Sequence, residues 1–426
     1  MHFMKKSYTV LILVLFLTAC FPSVSLDKST PISTIVGKPT SFIVPTILHT
    51  NTPIPITIPT LTATPYPPIQ PQISAGDYHT CYLSSSGRVK CWGWSQFGQT
   101  GHKSSSDQMI SSDWIDLRGL ILVSAGGYHT CAVNVDHQVY CWGRNNMGQL
   151  GNDSTIDSSV PVLVRGLEGI KIDSVVSGSL HTCAYESKGH AWCWGSNRDG
   201  KLGAGIENAF SPIPVLVSES VDQVTSLSAG STFTCAAGGS GQTWCWGDGS
   251  SGQTGNKIYQ SSPLPQEIAK NIPEVDQLSS GWFHTCALST SGEISCWGKN
   301  YDGELGNSSA VSRAEAVTIS GVHTKTGVNL IAAGGRSTCA ATLDRLVYCW
   351  GKNDYGQVGD RIAKDQLFPK LISTSETKII SLKLGASHAC YLTENNQLWC
   401  WGANDHYQLG VISPAMVTVP ILIDIP

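Results

Sequence analysis

Residues 124–143 read SAGGYHTCAVNVDHQVYCWG, and the pattern returns six more times along the chain. It stands as SAGDYHTCYLSSSGRVKCWG from residue 74, VSGSLHTCAYESKGHAWCWG from 176 and SAGSTFTCAAGGSGQTWCWG from 228. SSGWFHTCALSTSGEISCWG follows from 279, AAGGRSTCAATLDRLVYCWG from 332 and KLGASHACYLTENNQLWCWG from 383. First cysteines fall at 81, 131, 183, 235, 286, 339 and 390, a period of about 51 residues. After each Cys-Trp-Gly comes a turn-rich string such as RNNMGQLG (Arg144 to Gly151), then usually a Pro-Val segment such as PVLV from Pro161. A fixed period of this length marks an array whose units cover one another's apolar faces.

Composition points the same way. The 426 residues include 43 Gly and 13 Trp, and only 14% are charged, against roughly 25% in an average globular chain. Short strands and Gly turns at even spacing predict an all-β fold built by radial repetition. The net charge of -4 supplies no cationic field to hold a polyanion, so no nucleic-acid partner is expected.

The Ala-Gly before a His, the Trp-Gly after a strand and the Gly-Gln-Leu-Gly turn resemble the repeat of the regulator of chromosome condensation family. The resemblance covers residues 73–426 and implies a seven-bladed β-propeller of four-stranded blades. The family's exchange factor works on a small GTPase through an inserted β-wedge. Here the steps between units vary by only three residues, which leaves no room for one. Function is therefore not inherited with the fold. The first unit begins at Ile73 without a preceding Pro-Val strand, so the last segment, Met416 to Leu422, is expected to complete the first blade and close the ring.

The N-terminus reads MHFMKKSYTVLILVLFLTAC: two lysines, then an apolar run too short for a comfortable membrane span, then small residues. Leu17-Thr18-Ala19-Cys20 resembles the bacterial lipobox. That resemblance implies a signal peptide over 1–19 and a lipid anchor on Cys20, with two or three acyl chains for stable membrane attachment. Residues 21–72 hold eleven of the 21 prolines and ten threonines. Such a low-charge segment builds no core, so 20–72 is expected to be a disordered, lipid-anchored spacer carrying the propeller of 73–426.

Fifteen cysteines divide as fourteen plus one: a Cys-x9-Cys pair in each repeat, and Cys20. In a hairpin where Cys131 faces Cys141, Val133 faces Val139, and the two sulfurs lie within reach of each other. An exported chain meets oxidising conditions. The expected bridges are therefore Cys81 with Cys91, Cys131 with Cys141, Cys183 with Cys193, Cys235 with Cys245, Cys286 with Cys296, Cys339 with Cys349 and Cys390 with Cys400. A zinc reading, with His79 beside Cys81 and Cys91, is weaker. Phe233 and Ser337 replace the His in two units that keep their Cys pairs.

His79, His129, His181, His284 and His388 are five equivalent copies, so they read as architecture rather than catalysis, bonding a backbone group between adjacent strands. The seven Trp of the Cys-Trp-Gly strings read as core. Specificity must come from positions that differ between units. After Cys-Trp-Gly the turns carry Trp94 and Phe97, Asn145 and Met147, Arg198 and Asp199, Tyr301 and Asp302, Tyr355, and His406 with Tyr407. Trp282 and Phe283 form a second apolar departure. Rigid aromatics on neighbouring turns suit a binding rim, for which Trp94, Phe97, Tyr301, Tyr355 and Tyr407 are the candidates.

The expected function is a lipid-anchored surface module, monomeric and without cofactor or metal, binding an extracellular protein or glycan through its loops. A narrower alternative, implied by resemblance to secreted bacterial propellers, is an enzyme inhibitor that covers a β-lactamase active site. Enzymatic readings rank lower. Nucleotide exchange is opposed by export and the missing wedge, and a lyase would have to gather Arg198, Asp199 and His406.

Overall fold

A computed structural model of the chain describes residues 69–425, apart from 103–105, 108–112, 187, 240 and 269–271. The signal, Cys20 and the spacer up to residue 68 lie outside the described residues. Within them the chain forms seven antiparallel sheets in sequence order, the blades of a β-propeller. The first blade contains β1 (Gln72–Ala75), β2 (His79–Leu83) and β3 (Val89–Gly93). The second contains β4 (Leu120–Ala125), β5 (His129–Asn134), β6 (Val139–Gly143) and β7 (Ser158–Leu163), and it is the template for the other five.

The sequence of β5 explains its place. Every residue of His129–Asn134 is buried, because a blade's middle strand is covered on both faces by neighbouring blades. Cys131 faces Cys141 and Val133 faces Val139, the register the hairpin spacing predicts. All seven expected disulfides are present within their own blades, with Cα separations of 4.0 to 4.1 Å. Beyond Cys141 the pairing with β7 shifts register at Gly143. Its φ is 109°, and a Cβ there would lie 2.7 Å from the Tyr128 carbonyl oxygen, so only glycine fits this exit. The outer strands carry prolines 161, 212, 214, 263, 265, 369 and 420. Proline removes the donors that would invite another strand to pair on the edge.

Blades are joined by a repeated four-residue node. Trp142 of the second blade, fully buried, donates its Nε1–H to the carbonyl oxygen of Gln99 in the first blade's turn, at 3.0 Å. Thr130 Oγ1 donates to the same oxygen at 2.8 Å. Its only hydrogen is then committed, so His79 Nε2, 2.8 Å away, is the donor to Thr130 and carries the ring's proton. Gly76 makes room for that imidazole: a Cβ on it would lie 2.7 Å from His79 Nδ1. The full node recurs with His129, Thr182, Gln149 and Trp194. It recurs with His181, Thr234, Lys201 and Trp246, and with His284, Thr338, Glu304 and Trp350. The expected backbone partner of the histidines is thus corrected: their partner is the threonine hydroxyl of the next blade.

The expected ring closure is also corrected. Met416–Ile423 pairs with Leu398–Ala403 and completes the seventh blade, to which it belongs in sequence. The Pro-Val segment is the outer strand of the blade it follows, so nothing is left over to exchange. Closure uses the common node instead: His388 Nε2 to Thr80 Oγ1 at 2.8 Å, with Thr80 and Trp92 both donating to Gln408 O. The first blade shows three strands among the described residues. Ile115 N bonds to Val89 O beside β3, and Arg88 and Lys90 lie over the Trp114 ring.

Burial pushes His79, His129 and His284 down to about 3, His388 to about 4 and His181 well below its ordinary value. Unfolding lets each take a proton near its ordinary pKa of 6.5. The unfolded chain thus binds more protons than the folded one below that pH, and stability falls as the pH drops from there toward the folded values. Asp77 and Glu304, both raised by burial, contribute the opposite slope but are outnumbered. Urea unfolding at about pH 5 is expected to need less denaturant than at pH 7.5; an equal or higher midpoint would contradict the neutral buried histidines.

Candidate functional site

Two loops of every blade meet on one face of the ring. The residue before the repeated His position accepts, through its carbonyl oxygen, the N–H of the residue after Cys-Trp-Gly. Trp94 N bonds to Tyr78 O at 2.8 Å, Arg144 N to Tyr128 O at 2.9 Å, Lys299 N to Phe283 O at 2.8 Å and Lys352 N to Arg336 O at 2.9 Å. A repeated backbone bond thus sets side by side the positions that do not repeat. In blade order they are Tyr78 and Trp94, Tyr128 and Arg144, Leu180 and Ser196, Thr232 and Asp248, Phe283 and Lys299, Arg336 and Lys352, and Ser387 and Ala403.

Around the first blade these positions form an aromatic cluster centred on Trp94. Its ring centroid lies 5.5 Å from Tyr78, 5.5 Å from Phe97, 5.7 Å from Tyr128 and 5.8 Å from His406. Most of these contacts are edge-to-face, the arrangement favoured by the ring quadrupole. Arg144 lies over both Phe97 and Tyr128, and His406 Nδ1 is 2.9 Å from Asp107 Oδ2.

Beside this cluster is a hollow of about 270 Å³ whose walls include Tyr78, Trp282, Arg336, Lys352, Tyr355 and Asp405. Its cations are held by carboxylates. Arg336 pairs with Asp302 and lies 3.7 Å from Glu304, while Lys352 lies 2.8 Å from Asp354, 3.4 Å from Asp365 and 3.5 Å from Asp302. Burial raises the Glu304 carboxyl. At the mouth of the central channel Trp282 reaches from the fifth blade to the first, donating its Nε1–H to Asp77 Oδ1 at 2.9 Å. Burial pushes Asp77 up to about 6, and the bond from Trp282 restrains that rise. Among the described residues, Lys383 and Asp77 are the charged residues that line the channel.

The five rim candidates are distributed unevenly. Trp94 and Phe97 share the cluster, and Tyr355, 50% exposed, lines the hollow. Tyr301, 67% exposed, stands apart beneath the Lys299 ammonium. Tyr407, with φ of 61°, occupies the turn position where the other six blades have glycine. In those six, a Cβ would meet the next blade's outer strand, such as Pro212 against Gly148. Blade one shows no such strand among the described residues, and a side chain fits there.

Of the other turn residues, Asn145 is scaffold: fully buried, its Nδ2 donates to Asn152, Ser154 and Ile156 and its Oδ1 accepts from Leu150 N. Asn152 accepts one of those bonds through its Oδ1. His406 is partnered by Asp107 and Asp405, while Arg198 and Asp199 stay on the third blade's turn. Tyr78, Tyr128 and Asp77 were missed in the sequence. Their signal was the pair of variable columns between Ala-Gly and His, masked by the constancy on either side.

Comparison with known proteins places residues 172–425 in the RCC1-like domain model, and residues 72–99, 121–149 and 136–185 in models of the regulator of chromosome condensation (RCC1) repeat. The ultraviolet-B receptor UVR8 of Arabidopsis thaliana is 29% identical over 345 residues, which cover 80% of this chain and 78% of the receptor. The human E3 ubiquitin-protein ligase HERC2 is 30% identical over 274 residues, 61% of this chain but only 6% of the ligase. Among solved structures, Prp20p of Saccharomyces cerevisiae superposes with a TM-score of 0.69 at 20% identity, covering 82% of this chain and 86% of that one.

If the Trp282 bond and burial together set Asp77, its carboxyl is expected to titrate near 6 in the wild-type chain. It should titrate higher in Trp282→Phe, where burial remains and the donor is gone. The side-chain carbon resonance of Asp77 followed with pH measures this. Titration near the ordinary value in the wild type, or a lower value in the variant, would contradict the geometry at the channel mouth.

Proposed function

The chain belongs to the RCC1-like domain family, and from that premise we propose that it is a binding module whose contact face is the aromatic-bearing side of the ring, held at a membrane surface by a lipid on Cys20. Its relatives include a receptor, and the Prp20p structure is described with binding properties toward Gsp1p and histones. Propellers of this family thus serve as recognition platforms. One observation carries the reading for this chain. The residues that repeat are consumed between blades, while the unlike and partly exposed ones, Trp94, Phe97, Tyr128, Tyr301 and Tyr355, stand on one face. An array of equal blades acquires specificity only where the blades differ.

The partner is an extracellular protein or glycan, and the module catalyses nothing on it. The lipobox-like Leu17-Thr18-Ala19-Cys20 and the Pro/Thr-rich spacer support display outside the cytoplasm. Seven disulfides support it as well, because such bridges persist in oxidising compartments.

Two measurements test this. The full chain, immobilised and exposed to envelope extract, should retain a macromolecule that Tyr355→Ala retains more weakly by about 1–3 kcal/mol, with an unchanged melting temperature. Equal retention by wild type and variant would remove this face from the function. The mature N-terminal peptide should carry acyl chains on Cys20 in mass spectrometry; an unmodified cysteine there would refute the anchor.

A further inference from the structure

The hollow between blades one, five, six and seven has a wall chemistry that selects a ligand class. Three ring systems bound it: Tyr78, Trp282 and Tyr355. Two of them are fixed through their side chains, Tyr78 packed edge-on against Trp94 and Trp282 tied through its Nε1–H to Asp77, while Tyr355, half exposed, closes the third side. Two of the three walls are therefore preorganised aromatic surface, which lowers the ordering cost left for a ligand. At about 270 Å³ the hollow is smaller than a pocket for a drug-sized ligand, so it suits a single ring.

Charge decides what kind of ring. The lining includes two cations, Arg336 and Lys352, and two carboxylates, Asp354 and Asp405. A ligand of either charge meets a like charge in the wall. Both cations are, moreover, already paired with Asp302, Glu304, Asp354 and Asp365, so the wall offers no uncompensated positive charge to a phosphate or a uronic acid. A neutral polyol fits. Its hydroxyls can donate to Asp354 and Asp405, whose side chains are more than half exposed, and can accept from the Tyr355 hydroxyl. Its C–H face can lie on an aromatic plane.

Resting on the reading of this face as the contact surface, we propose that the hollow bounded by Tyr78, Trp282 and Tyr355 seats one neutral pyranose residue of a glycan. The neighbouring Trp94 cluster then continues the platform for adjoining residues of the chain of sugars.

The test titrates the full chain in detergent with neutral trisaccharides of gluco, galacto, manno and N-acetylglucosamine configuration. An acidic trigalacturonate and a decalysine peptide serve as charged probes. One neutral trisaccharide is expected to bind saturably, and Tyr355→Ala, with unchanged melting temperature, to weaken it about ten-fold or more. Tyr259→Ala, at an exposed tyrosine that does not line the hollow, should leave that affinity unchanged. Absence of binding by every neutral trisaccharide overturns the inference, as does binding indifferent to Tyr355→Ala or preference for either charged probe. If the sugars fail while envelope retention still depends on Tyr355, the contact face stands and only its ligand class is wrong. Loss of both would sink the face as well.

Discussion

The ring depends on one carbonyl oxygen per blade. In the Gly-Gln-x-Gly turn of the first blade, Gln99 O accepts from Trp142 Nε1 and from Thr130 Oγ1 of the second, and Thr130 in turn accepts from His79. The arrangement joins the large apolar burial of the tryptophan to a polar chain whose every hydrogen is directed. An unpaired buried donor costs about 1–3 kcal/mol, so the node tolerates little rotation of one blade against the next. The glycines follow from it. Gly101 leaves space for Trp142 Nε1, and Gly76 leaves space for the His79 ring. Because the same contacts join blade seven to blade one, closure needs no borrowed strand.

This division of labour frees one face for recognition. The backbone bond from the residue after Cys-Trp-Gly to the residue before the His position is made by the main chain and is indifferent to side chains. Tyr78 and Trp94 in one blade, Thr232 and Asp248 in another and Arg336 and Lys352 in a third therefore occupy equivalent places without disturbing the node. The same freedom allows Trp282 to cross the channel mouth to Asp77. Aromatic surface accumulates near blade one and ion pairs near blades five and six, giving a circular scaffold an asymmetric face.

Much of this was legible in the residues. The period, the Cys131–Cys141 register and the burial of the seven tryptophans follow from local spacing and from the even recurrence of one string. The histidine's partner was also written there, in a form that spacing alone does not reveal. Blade six has Ser337 where others have His, and blade seven has Ala389 where the other six have Thr. The two losses occur on facing sides of one interface, which suits a His-to-Thr bond between successive blades, although the loss of His at Phe233 leaves Thr285 in place. The ring closure was misread because a Pro-Val segment lies equally between two repeats in sequence, and only pairing across β6 and β7 assigns it to the earlier one. The cluster around Trp94 joins residues from blades one, two and seven, a neighbourhood that exists only once the ring is closed.

The node contains its own control. Thr130 faces His79, whereas at the equivalent interface of Thr285 the histidine position holds Phe233, a fully buried ring with no proton to donate, and the Thr285 hydroxyl lies 3.1 Å from Ser280 Oγ. Substituting each threonine with valine keeps the shape and removes the hydroxyl, but only Thr130→Val leaves a buried imidazole N–H without a partner. Urea unfolding of the two variants should show Thr130→Val to be the less stable by about 1–3 kcal/mol. Equal losses would mean that the histidine bond adds no more to joining the blades than the Ser280 contact that Thr285→Val removes.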